Sequence, residues 1–114
     1  MKIKERERDG VVILEISGKI MGGADSELFS QTLKSLVHED KTRVVCDLGN
    51  VTWVNSTGLG ILISGYSTLK RSNGEMKLLN VSERIDSIFM VTKLYSVFES
   101  YKSEDEAIAS FATD

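Results

Sequence analysis

Apolar and polar positions mark out the elements of the 114-residue chain one after another. Residues 3–8 are mostly charged, Asp9-Gly10 follows, and then comes the β-branched run Val11-Val12-Ile13-Leu14-Glu15-Ile16. An Asp-Gly pair ahead of such a run predicts a hairpin. One strand is a charged edge, whose charges discourage edge-to-edge aggregation, and the other is more buried. Ser17 to Gly23 predicts a loop, freed by its two adjacent glycines. Leu28, Phe29, Leu33, Leu36 and Val37 then recur at helical spacing, which predicts a helix over about residues 25–38, capped by Asp25 or Ser26.

Val44-Val45-Cys46-Asp47-Leu48 is short and nearly continuously apolar, as in a strand covered on both faces. The preceding helix supplies the crossover that a parallel neighbour needs. Leu59, Leu62, Ile63, Tyr66 and Leu69 form a second helical stripe, stopped by Ser72-Asn73-Gly74. Met76 to Asn80 predicts a strand, Ser82 caps a short helix with Ile85, Ile88 and Phe89, and Leu94 to Phe98 predicts a brief edge strand. Ser103-Glu104-Asp105-Glu106 is a capping box ahead of Ala107, Ile108 and Phe111. The order predicts one layered α/β domain over residues 1–114, with a mixed sheet of four to five strands and about four helices.

One stretch stands apart. Val51-Thr52-Trp53-Val54-Asn55-Ser56-Thr57-Gly58-Leu59-Gly60 puts hydroxyls and glycines where a strand runs into a helix. Free backbone N–H groups and the positive end of the helix dipole converge at such a place and favour an anion. Taking Leu59, Leu62, Ile63 and Tyr66 as inward leaves Gly58, Ile61, Gly65 and Thr68 on the other side. Ile61 is then an apolar side chain on a solvated face, expected to contact a partner, while Trp53 is expected to be partly buried at the sheet end.

Composition narrows the function. The chain is 41% hydrophobic and 27% charged with a net charge of −3, ordinary for a soluble globular domain and a poor match to direct nucleic-acid binding. Its single cysteine, Cys46, lies in an apolar strand and is expected to be a buried small hydrophobe. Neither a membrane span nor a signal peptide is legible, so membrane insertion is not expected and a cytoplasmic location is.

Catalysis finds little support. Ser56 at a strand-to-helix turn has the place of a hydrolase nucleophile, but that motif needs Gly where Val54 stands. The only histidine, His38, would have to serve as base, and it is expected on the surface. The glycines at 58, 60 and 65 lack the Gly-Lys-Ser/Thr ending of a phosphate loop. No metal-ligand constellation is present, and no cofactor is expected. On local physics alone, Ser56-Thr57 is a helix N-terminus with hydroxyl caps, and its glycines reflect close packing.

Val54-Asn55-Ser56-Thr57-Gly58-Leu59-Gly60, following a Val-Val-Cys-Asp-Leu strand, resembles the signature of the STAS-domain anti-sigma factor antagonists. That family carries an aromatic-apolar-Asp-Ser-Ser/Thr-Gly-Leu-Gly turn, and the order of elements agrees over essentially the whole chain. The resemblance implies a non-enzymatic partner-switching protein that regulates sigma factor-dependent transcription. Its partners are an anti-sigma factor that is also a serine-protein kinase, and a serine phosphatase that resets it. The phosphorylated hydroxyl is then Ser56, with Thr57 as the alternative. Partner contacts fall on Asn55, Ser56, Thr57, Gly58, Ile61, Gly65, Met21 and Asp25. Asn55 stands where the family usually has Asp, and Met21 where a second Asp is usual. Two other readings stay open: a STAS subunit binding the ATPase of a lipid-transport ABC assembly, and a weak nucleotide-binding module.

Overall fold

The Asp9-Gly10 pair turns the chain as its residue types demand. In the computed structural model, which describes residues 1–91 and 97–113, β1 (Lys2–Arg8) and β2 (Val11–Ile20) pair antiparallel around it. Both turn residues have positive φ, 53° and 79°, the backbone that a two-residue connection between right-twisted strands requires. Then follow α1 (Ala24–His38), β3 (Arg43–Val54), α2 (Ser56–Arg71), β4 (Glu75–Leu79), α3 (Glu83–Val91), β5 (Ser100–Tyr101), α4 (Glu104–Ser110) and a 3-10 turn at Phe111–Thr113. The five strands form one sheet in the order β1-β2-β3-β4-β5, antiparallel between β1 and β2 and parallel elsewhere.

Several boundaries differ from the sequence expectation. Ser17 to Ile20 continues β2 instead of forming a loop, because the ladder to β3 runs on through two register shifts flanking Ser17-Gly18. β3 likewise runs past Leu48 to Val54, directly into the turn before α2. Gly23, not Asp25 or Ser26, occupies the cap position of α1, and no side chain caps that helix. Leu28 is 40% exposed, while Phe29, Leu33 and Leu36 are buried in the core and Val37 packs partly buried against it. Leu94 to Ser96 lie outside the described residues, and Val97 and Phe98 stand in a turn. The second sheet edge falls instead at Ser100–Tyr101.

Two apolar layers sandwich the sheet. On one face Val12, Leu14, Val44, Cys46, Met76 and Leu78 pack beneath α1, α2 and α3. On the other, Val11, Ile13, Val45 and Leu79 meet Ala107, Ile108 and Phe111. This alternation along β2, β3 and β4 is the period-2 signature of strands covered on both sides. Cys46 is fully buried, and burial pushes its thiol up to about 12, so it packs as a hydrophobe.

One polar residue enters the second layer. Lys77 is 1% exposed, and its ammonium donates to Ser110 Oγ at 2.8 Å, pairs with Glu99 at 3.1 Å and lies 4.3 Å from the centre of the Phe111 ring. A buried cation persists only where such groups replace its water. At the β1 edge of the sheet, Arg6 bridges Glu15 and Glu104, while Arg8 binds Glu104 and Asp105. Charges of the hairpin edge thus clasp the start of α4.

Candidate functional site

The turn from β3 into α2 is organised by Asn55. Its backbone is extended (φ −93°, ψ −179°), as an N-cap requires, and its side-chain Oδ1 accepts the Gly58 N–H at 2.7 Å. The same carboxamide donates through Nδ2 to the Met21 carbonyl at 3.1 Å. Its backbone N–H donates to Ile20 O at 3.3 Å. One residue therefore closes the helix and ties it to the segment leaving β2.

That segment is shaped to fit. Gly22 and Gly23 have φ of 111° and 62°, and a Cβ on Gly22 would come within 2.7 Å of the Thr57 methyl. The Met21 N–H donates to Asp25 Oδ2 at 3.2 Å, while Asp25 Oδ1 lies 3.4 Å from the Met1 ammonium. The first turn of α1, the β2–α1 loop and the first turn of α2 are thus one stitched surface. Met21 and Trp53 are exposed on or beside it, Trp53 at 40% instead of partly buried as expected.

Ser56 and Thr57 differ within this frame. Both are exposed and neither hydroxyl makes a hydrogen bond among the described residues, but the Thr57 methyl leans on Gly22 while Ser56 stands clear of the loop. The N–H groups of Ser56 and Thr57 precede the helical ladder and also have no acceptor among the described residues. An oxyanion on Ser56 Oγ would therefore meet uncommitted donors and the positive helix end. His38 closes the opposite end of α1, about 20 Å away along a helix of this length, so it offers Ser56 no base.

The expected docking face is corrected. Gly58, Ile61 and Gly65 are buried, with Ile61 only 6% exposed. A Cβ on Gly58 would overlap the Ile20 carbonyl, and one on Gly65 would overlap Leu33 and Phe29. These glycines let α2 settle against β2 and α1, and Ile61 fills the joint. A helix covered on two sides carries an apolar arc wider than one stripe, which is why Ile61 looked out of place in the sequence.

The solvated face of α2 instead presents Ser56, Thr57, Gly60 and Ser64. Sequence reasoning passed over Gly60, although its signal was available: it lies four residues after Ser56 and hence on the same face. A Cβ at Gly60 would meet nothing within 4 Å. Nothing among the described residues requires a glycine there. Among the described residues no cluster of three or more His, Cys, Asp or Glu could hold a metal, and no helix is long and apolar enough to cross a membrane. A cavity of about 520 Å³ lies at the opposite, N-terminal ends of β3 and β4, lined by Arg43, Lys70, Glu75 and Phe111 among others. None of the residues lining it belongs to the Ser56 turn.

Comparison with known proteins gives the fold and the family. The STAS domain family model matches residues 2–107. The anti-sigma-B factor antagonist of Bacillus subtilis is 30% identical over 103 residues, covering 90% of this chain and 91% of that protein. An anti-sigma factor antagonist from Mycobacterium paratuberculosis superposes with a TM-score of 0.80 at 24% identity, over 96% of this chain and 92% of that one. The Bacillus cell fate determinant SpoIIAA, in its phosphorylated form, superposes with a TM-score of 0.72 at 17% identity, over 96% and 99% of the two chains. At those identities the two superpositions show the fold; the family model and the Bacillus subtilis relative carry the family. The chain belongs to the STAS-domain anti-sigma factor antagonists.

Proposed function

We propose that this protein is a phosphorylation-controlled partner switch, acting in the cytoplasm, with Ser56 as the acceptor and an anti-sigma factor serine kinase as the partner. The observation that carries the reading is the Ser56 hydroxyl. It is exposed, unbonded among the described residues, and placed on a pre-formed turn beside two uncommitted N–H groups. The name of the Bacillus subtilis relative supplies the partner class, an anti-sigma factor. Unphosphorylated, the protein holds the kinase and releases the sigma factor; a serine phosphatase restores this state.

Phosphate on Ser56 brings roughly −1.5 to −2 charges to the surface that docks. The free donors of the turn accommodate it without refolding, so the cost falls on the interface. A coupling of about 1–3 kcal/mol changes affinity about 5- to 150-fold. The docking face in this reading consists of Ser56, Thr57, Gly60 and Ser64 with Met21 beside them. Gly60 supports it, because an exposed helical glycine costs stability and leaves room for a partner to approach the backbone.

The test is incubation with a panel of anti-sigma-type serine kinases and ATP, followed by mapping of the modified residue. Phosphate on Ser56, lost in Ser56→Ala and retained in Thr57→Ala, is the expected result. Phosphate placed reproducibly on another residue overturns the assignment.

A further inference from the structure

We infer that the Asn55 carboxamide is a positioning and specificity-determining residue, which locks the β2–α1 loop to the acceptor turn so that the partner reads both as one surface. The inference rests on the partner-switch reading for its partner, and on geometry alone for the lock. The two ends of the side chain do different work. Oδ1 accepts the Gly58 N–H at 2.7 Å and so caps α2, while Nδ2 donates to the Met21 carbonyl at 3.1 Å.

The first task needs only an acceptor, which Asp or Ser also supplies. The second needs a donor. A carboxylate at position 55 would turn an oxygen toward the Met21 carbonyl and replace an attraction with repulsion between two acceptors. The loop in its present course therefore calls for an amide at this position.

The loop is built to depend on that bond. Gly22 and Gly23 both have positive φ and contribute no side chain to hold the loop, and the Met21 peptide groups are held from opposite ends by Asn55 and Asp25. With both groups tied, the exposed Met21 side chain is displayed at a fixed place beside Ser56. A partner that contacts Met21 and Ser56 together then spends no free energy on ordering the loop.

Asn55→Asp separates the two tasks, since it keeps the cap and removes the donor; Asn55→Ala removes both. In Asn55→Asp, amide hydrogen exchange over residues 21–24 is expected to quicken about 2- to 10-fold, the worth of one net hydrogen bond, with residues 59–64 of α2 unchanged. With a kinase from the panel that modifies Ser56, the same variant is expected to raise KM about 2- to 10-fold at unchanged kcat. Unchanged exchange in the loop overturns the lock. Faster exchange with an unchanged KM overturns the claim that the partner reads the loop. Should no kinase modify the parent protein, the Ser56 reading falls, and the exchange data alone then uphold or overturn the lock.

Discussion

Gly58 and Gly60 sit two residues apart in α2 and answer an added methyl in opposite ways. Gly60→Ala meets open space, so it should stabilise the fold by about 0.5–1 kcal/mol through helix propensity, measured by urea unfolding. If Gly60 serves the partner's approach, the same variant weakens binding while gaining stability. Gly58→Ala drives a carbon into the Ile20 carbonyl and should cost about 1–3 kcal/mol or more, as overpacking against backbone does. Cys46, buried with its thiol raised to about 12, should resist alkylating reagents at neutral pH until the protein unfolds. The sequence made Asn55 and Ser56 legible, because a polar run between an apolar strand and a helical stripe marks a strand-to-helix turn. It hid the place of Ile61, since its neighbour α1 lies some thirty residues earlier and helical period alone does not say how many sides of a helix are covered.

At the scale of elements, α4 is held by charges that the hairpin brings to it. Glu104 is bound by both Arg6 and Arg8, which lowers its carboxyl to about 2 from the usual 4.5. Because the folded state binds this proton more weakly, the contribution is fully present above the unfolded value and fades as pH falls from about 4.5 towards about 2. The groups are partly exposed, so the expected size is about 1 kcal/mol or less. Glu104→Gln should therefore flatten the acid limb of stability measured between pH 5 and pH 2. Inside the same layer, Lys77→Ala should destabilise more than Lys77→Met, because the longer apolar chain fills the space the stem leaves. The hairpin, the helices and their order were legible from local residue types. The extension of β2 through Ser17 and Gly18, and of β3 through Gly49 and Asn50, was not, because polar and glycine residues joined those ladders through neighbours remote in sequence.

For the whole molecule, the proposed switch would change a surface on an unchanged body. Phosphorylation of Ser56 takes a net charge of −3 to roughly −5, on a turn already tied to two elements. Calorimetric titration of the kinase should show a loss of affinity of about 5- to 150-fold, and amide shifts should move around residues 20–25 and 53–60 while the rest of the spectrum holds. Displacement of signals throughout the sheet would contradict a switch confined to the surface.

The strand order β1-β2-β3-β4-β5 repeats the order of synthesis. Each strand after β1 finds its template already in place, and the contacts that shape the Ser56 turn, from Ile20 and Met21 to Gly58, come from residues numbered below 72. On a ribosome, the surface around Ser56 can assemble while the chain is still growing, before β4 and α4 add the second half of the core. The surface around Ser56 is drafted first, and the rest of the core follows it.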